Sequence, residues 1–162
     1  MNSRCYPTGL WDEGNIMIVG EAPGQKGRSH IGSDLKPSFI YTRTSYILRE
    51  ALRQTFSKTP YITNLLKYAM PDNNVPASEF KKSYHIFEKE VELMRPSKII
   101  ALGNNVDKYL ARFDFDIPVV KVMHPAATLY QGMDISEYQK LYEEVWTKRR
   151  TRDSLKKLEN NQ

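Results

Sequence analysis

Cysteine is nearly absent from this sequence, because Cys5 is the only one in 162 residues. A single thiol cannot close an internal disulfide, and by itself it cannot hold a multi-cysteine metal cluster. The sequence is therefore not that of a disulfide-stabilised secreted module. Its cysteine usage favours a reducing, cytoplasmic setting.

Long hydrophobic runs are absent as well. The longest apolar runs, such as Ile16–Val19 and Ile99–Leu102, have the length of strands and fall short of the ~20 residues that cross a bilayer. Residues 1–5 contain no apolar segment of a secretory signal, so we expect neither export nor a membrane partner. Because 40% of the residues are apolar, the chain can still build the core of one domain.

Basic residues exceed acidic ones, which gives a formal charge of +5, and they concentrate near the C-terminus at Lys148, Arg149, Arg150, Arg152, Lys156 and Lys157. We expect a folded domain over residues 1–150 and a basic tail or helix extension over residues 151–162. Such an excess attracts phosphate backbones without specifying what is bound. A solvated tail that only maintains solubility is the alternative interpretation.

Four short apolar runs alternate with segments of helical pattern. The predicted strands are Ile16–Val19, Tyr61–Thr63, Lys98–Leu102 and Val119–Val122. The predicted helices cover residues 44–56, 78–94 and 105–111, and a last one starts near residue 135 and continues beyond 149. This alternation predicts an α/β fold of three layers, α/β/α, around a central four-stranded parallel sheet.

Polar residues follow the predicted strands at the edge where ligands bind in such sheets. Glu21 lies in a tight Gly-Pro turn after the first strand, Asn64 follows the second, and Gly103 and Asn104 follow the third. His124 follows the fourth, where its imidazole can donate a hydrogen bond to developing negative charge. Each residue alone also has an ordinary structural interpretation, such as a turn residue or a helix cap.

Taken in order, these loops resemble motifs of the uracil-DNA glycosylase superfamily, most closely its family 4 branch. That branch has Gly-Glu-Ala-Pro-Gly, Gly-Arg-Pro-Phe-Val-Gly and His-Pro-Ala. The matching segments of this chain are residues 20–24, 27–32 and 124–126, with further similarity at 61–67, 71–76 and 95–103. The resemblance extends over residues 14–146, and it is specific as an ordered set of motifs.

The resemblance implies a DNA glycosylase that flips uracil out of DNA and hydrolyses its N-glycosidic bond in base excision repair. We expect no metal or other cofactor, because this hydrolysis requires none. It implies catalytic roles for Glu21 and His124. The residues expected to contact the base are Gly20, Ala22, His30 and Asn64. Those expected to contact DNA phosphates or to wedge the duplex are Gly103, Asn104, Pro125, Ala126, Ala127 and Leu129, with Tyr130 as a second wedge candidate.

Two departures from family 4 affect these expectations. Members of that branch usually carry four cysteines that bind an iron–sulfur cluster, but Tyr68 and Ser83 stand at two of these positions, so the cluster is excluded. Core packing by Tyr84 and Phe87 is available to replace it. In addition, His30 stands where the family has a phenylalanine that stacks on the flipped base. The choice of base therefore stays open, with Phe39 and Tyr41 as other candidate stacking residues.

Three alternatives remain on sequence grounds. The protein could be a glycosylase for another damaged base, a catalytically silent nucleic-acid-binding module of the same fold, or an unrelated small-molecule enzyme on the same sheet. The favoured partner is DNA containing uracil, single- or double-stranded, bound by a monomer. Retention of Glu21, Asn64 and His124 together favours an active enzyme, because binding alone would not need all three.

Overall fold

The computed structural model describes residues 4–6, 16–24, 35–37, 42–56, 60–70 and 74–147. Within these ranges the strands are β1 (Arg4–Tyr6), β2 (Ile16–Gly20), β3 (Leu35–Pro37), β4 (Tyr61–Asn64), β5 (Lys98–Leu102) and β6 (Val119–Val122). The helices are α1 (Arg43–Thr55), α2 (Ala77–Met94), α3 (Asn104–Leu110), α4 (Pro125–Gln131) and α5 (Ile135–Thr147).

The main sheet has four parallel strands in the order β4–β2–β5–β6. Ile18 of β2 pairs in register with Ile62 of β4 and with Ile100 of β5, and Ile100 pairs with Val120 of β6. Because all four strands run the same way, their carboxyl ends lie at one edge. The predicted central four-stranded parallel sheet is confirmed.

Helices cover both faces of this sheet. Successive side chains of a strand point to opposite faces. Ile16 and Ile18 accordingly join one core with α1 and α5, while Met17 and Val19 join another core with α2 and α3. Each of these four β2 side chains is at most 4% exposed. The arrangement is the predicted three-layer α/β/α fold.

The long helix α2 follows the predicted apolar spacing. Phe80, Phe87 and Val91 are buried along one face, and Tyr84 and Met94 are partly buried beside them. The helix begins at Ala77, one residue before the predicted start, and ends at Met94; its C-cap, Arg95, has a φ of +46°. A residue in the left-handed region at this position is a common way for a helix to stop.

Helix α4 and the two-stranded parallel pair β1–β3 were not predicted. Helix α4 has seven residues, and its large apolar side chains, Leu129 and Tyr130, are adjacent, so no helical spacing shows in the sequence. The structure shows Pro125 in its first turn and His124 as its cap. Strands β1 and β3 have three residues each, which is too short for alternation to be read.

Other expectations concern residues outside the described ranges. These are the domain boundary at residue 150, the basic segment 151–162, and continuation of the last helix beyond residue 149. Among the residues that the structure describes, no helix is both long enough and apolar enough to span a membrane.

Candidate active site

The turn that carries Glu21 and the end of β4 that carries Asn64 lie side by side. Gly20 pairs in register with Asn64 across the two strands. Beyond this pair, the Leu65 N–H donates to the Gly20 carbonyl and the Leu66 N–H donates to the Glu21 carbonyl, both at 2.9 Å. The backbone hydrogen bonds therefore continue past the sheet and fix the carboxylate-bearing turn against the amide-bearing strand end.

The other two strand ends bring Gly103 and His124 together. The Gly103 N–H donates to the carbonyl of Val122 at 2.8 Å, and Gly103 has a φ of +93°. A Cβ atom at Gly103 would lie 3.4 Å from the Cβ of His124. Glycine is needed here for the backbone conformation, which L side chains rarely adopt. It also lets the imidazole-bearing segment approach the end of β5.

Glu21 is half-buried, and Asn105 lies beside it. The Asn105 Nδ2 donates to the Glu21 Oε1 at 3.4 Å, which joins the first turn of α3 to the turn after β2. Asn105 was not predicted, because the sequence interpretation stopped at Asn104, its exposed neighbour. The sequence feature that could have indicated Asn105 is an amide side chain in the first helical turn after β5, whose carboxyl end contributes to the site.

Asn64 is only 2% exposed, so its carboxamide is held at the sheet edge and does not extend into solvent. Its backbone carbonyl accepts a hydrogen bond from Lys67 Nζ at 2.5 Å. Burial lowers the pKa of the Lys67 ammonium, and the neighbouring Glu90 carboxylate opposes that shift. No role was predicted for Lys67 or Glu90, which are distant in sequence, and no local signal connects them.

His124 is held in one orientation by the backbone of α4. Its Nδ1 accepts from the Ala126 N–H at 3.1 Å, and its carbonyl accepts from the Ala127 N–H at 2.9 Å. The preceding carbonyl, that of Met123, accepts from the buried Tyr138 hydroxyl at 2.8 Å. Burial lowers the pKa of His124 below its usual 6.5. The ring is thus neutral at pH 7, and since Nδ1 accepts, its proton is on Nε2.

The start of α4 carries the DNA-contact candidates Pro125, Ala126 and Ala127. The N–H groups of Ala126 and Ala127 both donate to His124, and Pro125 has no N–H to offer. Contact of these three residues with DNA stays a prediction.

The wedge candidates, Leu129 and Tyr130, lie on α4, the short helix that begins directly after His124. Leu129 is 41% exposed and Tyr130 is 88% exposed, whereas Thr128, the residue before Leu129, is buried. Leu129 is therefore not part of the buried core. Both apolar side chains extend from the helix that begins beside the imidazole.

Of the remaining base-contact candidates, Gly20 and Ala22 lie within the described residues and His30 lies outside them. Gly20 is buried and Ala22 is partly buried against the core on the α2 side, so both place backbone at the site edge. His30, the Gly27–Gly32 motif, Phe39 and Tyr41 lie outside the described residues. The identity of the group that stacks on the base is therefore not given by the structure.

Aromatic side chains pack in the core that includes Tyr68, which the resemblance places, with Ser83, at a cluster-cysteine position of family 4. Tyr68 donates a hydrogen bond to Glu79, and Ser83 is buried at 1% exposure. Around them, ring centroids lie 4.1 Å apart for Phe80–Tyr109, 4.8 Å for Tyr84–Phe113 and 4.9 Å for Phe113–Phe115. The described ranges contain no group of three or more His, Cys, Asp or Glu side chains that could hold a metal ion.

Comparison with known proteins agrees with these features. A family model described as the uracil DNA glycosylase superfamily matches residues 10–149. A curated relative from Archaeoglobus fulgidus, named Type-4 uracil-DNA glycosylase, is 27% identical over 165 aligned residues, which cover 86% of this chain and 80% of that protein. The chain belongs to the uracil-DNA glycosylase superfamily, and its reaction is the hydrolysis of an N-glycosidic bond in DNA.

Proposed function

We propose that the protein excises uracil from DNA, with Glu21, Asn64 and His124 as its reactive set. The observation that carries this proposal is their placement after three of the four parallel strands, with Asn64 in register beside Gly20 and His124 against Gly103. The relative named Type-4 uracil-DNA glycosylase supports uracil as the base.

The proposed chemistry uses groups of opposite electrostatic character on the two sides of the bond. As the C1′–N1 bond breaks, positive charge develops on the sugar and negative charge on the base, as in other glycoside hydrolyses. The Glu21 carboxylate stabilises the sugar cation and orients the water whose oxygen adds to C1′. The water proton is released, and the departing base takes up a proton in turn.

His124 acts on the base side. Its Nδ1 is occupied by the Ala126 N–H, so the neutral ring presents Nε2–H as a donor. A hydrogen bond from Nε2 to the uracil carbonyl oxygen strengthens as negative charge builds there. One preorganised donor of this kind is worth ~3 kcal/mol, or about a hundredfold in rate.

Asn64 selects the base by hydrogen bonding to its edge. Uracil presents an N–H beside a carbonyl, which matches the oxygen and the NH₂ of one carboxamide orientation. Cytosine presents the opposite pattern and would leave buried polar groups unpaired, which can cause strong rejection. The backbone at Gly20 and Ala22 bounds the same pocket, and His30 is the proposed stacking residue.

Base extrusion costs a few kcal/mol, and contacts to the DNA must offset that cost. We assign the wedge to Leu129, with Tyr130 beside it. The residues assigned to phosphate contact are Gly103, Asn104, Pro125, Ala126 and Ala127. The net charge of +5 favours association with a phosphate backbone. The proposal further includes a monomeric, cytoplasmic enzyme that needs no cofactor, with its catalytic domain within residues 1–150.

A uracil-bearing oligonucleotide tests the proposal. The labelled strand is incubated with protein and then treated with hot alkali, which cuts at the abasic site. We expect cleavage at the uracil by the wild type and at least a roughly tenfold lower rate for Glu21→Ala and for His124→Ala. Glu92→Ala and His85→Ala are matched controls, since both residues are exposed on α2 away from the strand ends.

Two results would contradict the proposal. Equal rates for the wild type and both site variants would remove the assigned chemistry, even if uracil is released. Cleavage at hypoxanthine or at a mismatched base, without cleavage at uracil, would keep the reaction class and replace the substrate.

A further inference from the structure

A buried ion pair lies directly behind the end of β4. Lys67 is 8% exposed, and its Nζ lies 2.5 Å from the Glu90 Oε2 of α2. The two side chains are 10% and 14% exposed. The pair joins the segment after the base-reading strand to the longest described helix.

The Lys67 ammonium has three N–H donors, and three acceptors surround it. Besides Glu90, they are the backbone carbonyl of Asn64 at 2.5 Å and the Thr63 Oγ1 at 2.8 Å. Thr63 Oγ1 in turn lies 3.1 Å from the Glu90 Oε1, and the ammonium lies 5.7 Å from the centre of the Phe87 ring. One cation therefore ties the peptide carbonyl of Asn64 to a carboxylate fixed on α2.

The stability of the fold alone does not explain why a charged pair is buried at this position. Removing two charges from water is costly, and apolar side chains of similar volume often serve a buried site equally well. A buried, fully hydrogen-bonded cation does, however, hold its acceptors in one geometry. The carbonyl that it holds belongs to the residue whose side chain is assigned to read the base.

We propose that Lys67, backed by Glu90, is a positioning residue for base recognition. By binding the Asn64 carbonyl it fixes the peptide plane after Asn64, and so it fixes the backbone from which the carboxamide is directed at the base. The inference rests on the proposed function of Asn64. Lys67 itself touches neither the base nor the reacting bond.

A double-mutant cycle separates this role from a merely structural one. Glu90→Gln serves as the background, because removing Lys67 alone would leave a buried carboxylate unpaired. Lys67→Met is added with Asn64 intact and again with Asn64→Ala, and kcat/KM for uracil release is measured for all four proteins. The exposed pair Lys89 and Glu92, on the same helix, provides the matched controls Lys89→Met and Glu92→Gln.

With Asn64 present, we expect Lys67→Met to lower kcat/KM by about tenfold to a hundredfold, the effect of losing a charge-assisted hydrogen bond. With Asn64→Ala, the same change should have almost no further effect. The surface controls should match the wild type. Equal losses in both backgrounds, or no loss in either, would overturn the proposal.

A second measurement does not depend on activity. The side-chain NH₂ resonance of Asn64 is compared by NMR between Glu90→Gln and Glu90→Gln with Lys67→Met. We expect it to shift, with the Asn105 side-chain resonance as reference. If the wild type releases no uracil, the proposed function fails. The Asn64 resonance then still decides whether Lys67 positions Asn64, because an unmoved signal overturns the inference. Should the Met variant unfold, Lys67→Arg, which keeps the charge but changes the donor geometry, replaces it in both measurements.

Discussion

His124 shows how a single hydrogen bond defines the chemistry of a side chain. The Ala126 N–H donates to Nδ1 at 3.1 Å, so protonation of Nδ1 would break this bond and place a cation in a half-buried site. Burial lowers the pKa of the ring for the same reason. The site therefore favours a neutral imidazole that carries its proton on Nε2.

This protonation preference predicts a pH dependence of stability. The pKa of His124 in the folded state lies below its unfolded value of 6.5, so as the pH falls below 6.5 the unfolded chain binds a proton before the folded one does. The free energy of unfolding should fall over that window and should not change above it on account of this group. In His124→Asn, whose side chain can still cap α4, this part of the decrease should be absent.

Urea denaturation at pH 5 and pH 7 measures the effect in both proteins. The wild type should lose more stability between the two pH values than the variant does. An identical decrease in both would mean that His124 is not held neutral by its surroundings.

At the scale of single residues, the sequence predicted the residues that follow strands and missed those that act through space. Glu21, Asn64 and His124 each come directly after an apolar run, so their common edge follows from the parallel order of the strands. The Lys67–Glu90 pair has no such signal, and Asn105 has only its place in the first helical turn after a strand. Their contacts depend on side-chain reach between elements, and 23 residues separate Lys67 from Glu90.

Helix α2 packs its aromatic side chains against the segment that follows α3. Phe87 is fully buried, and its ring centroid lies 5.4 Å from that of Phe113 and 6.0 Å from that of Phe115. Ser83 of the same helix, which the resemblance places at a cluster-cysteine position of family 4, is 1% exposed. Apolar contact among the rings holds this part of the molecule.

Truncating a side chain to alanine should lower the free energy of unfolding far more on the buried face of α2 than on its exposed face. We expect Phe87→Ala to lower the free energy of unfolding by about 3–5 kcal/mol, the usual range for a buried phenylalanine. Leu93→Ala, at a position that is 69% exposed on the same helix, should change it by no more than about 0.5 kcal/mol. Chemical denaturation of both variants measures the difference. A loss below about 1 kcal/mol for Phe87→Ala would mean that the aromatic cluster does not hold this region.

The elements differ in how well the sequence predicts them. Helix α2 was predicted to within one residue because its apolar spacing repeats over 18 residues. Helix α4 was missed because its large apolar side chains, Leu129 and Tyr130, are adjacent, whereas α3, also of seven residues, has Val106 and Leu110 four positions apart. Its cap is also a candidate catalytic residue, so the Pro-Ala-Ala segment was interpreted as a binding loop and not as the first turn of a helix.

For the whole molecule, function follows from the direction of the strands. Four parallel strands in the order β4–β2–β5–β6 bring their carboxyl ends to one edge, and the residues of the proposed site follow them there. Leu129 and Tyr130 are exposed on α4, which starts at the same edge. A duplex approaching this edge would meet the wedge candidates beside the imidazole.

The wedge assignment predicts a difference between DNA substrates. Leu129→Ala should lower the rate of uracil release from a duplex by about tenfold, because unstacking a base pair step costs a few kcal/mol. In single-stranded DNA the vacated stack needs no replacement, so the rate should change little. Comparison of the two rates in the variant and the wild type measures the effect. An equal reduction on both substrates would place Leu129 in general DNA binding or in packing.

A crystal structure of the Glu21→Gln variant bound to a uracil-containing oligonucleotide tests the common site most directly. We predict an extruded uracil whose edge pairs with the Asn64 carboxamide, whose carbonyl oxygen accepts from His124 Nε2, and whose C1′ lies beside residue 21. A uracil that stays stacked in the DNA, or one bound away from the strand ends that carry Asn64 and His124, would contradict the proposed function.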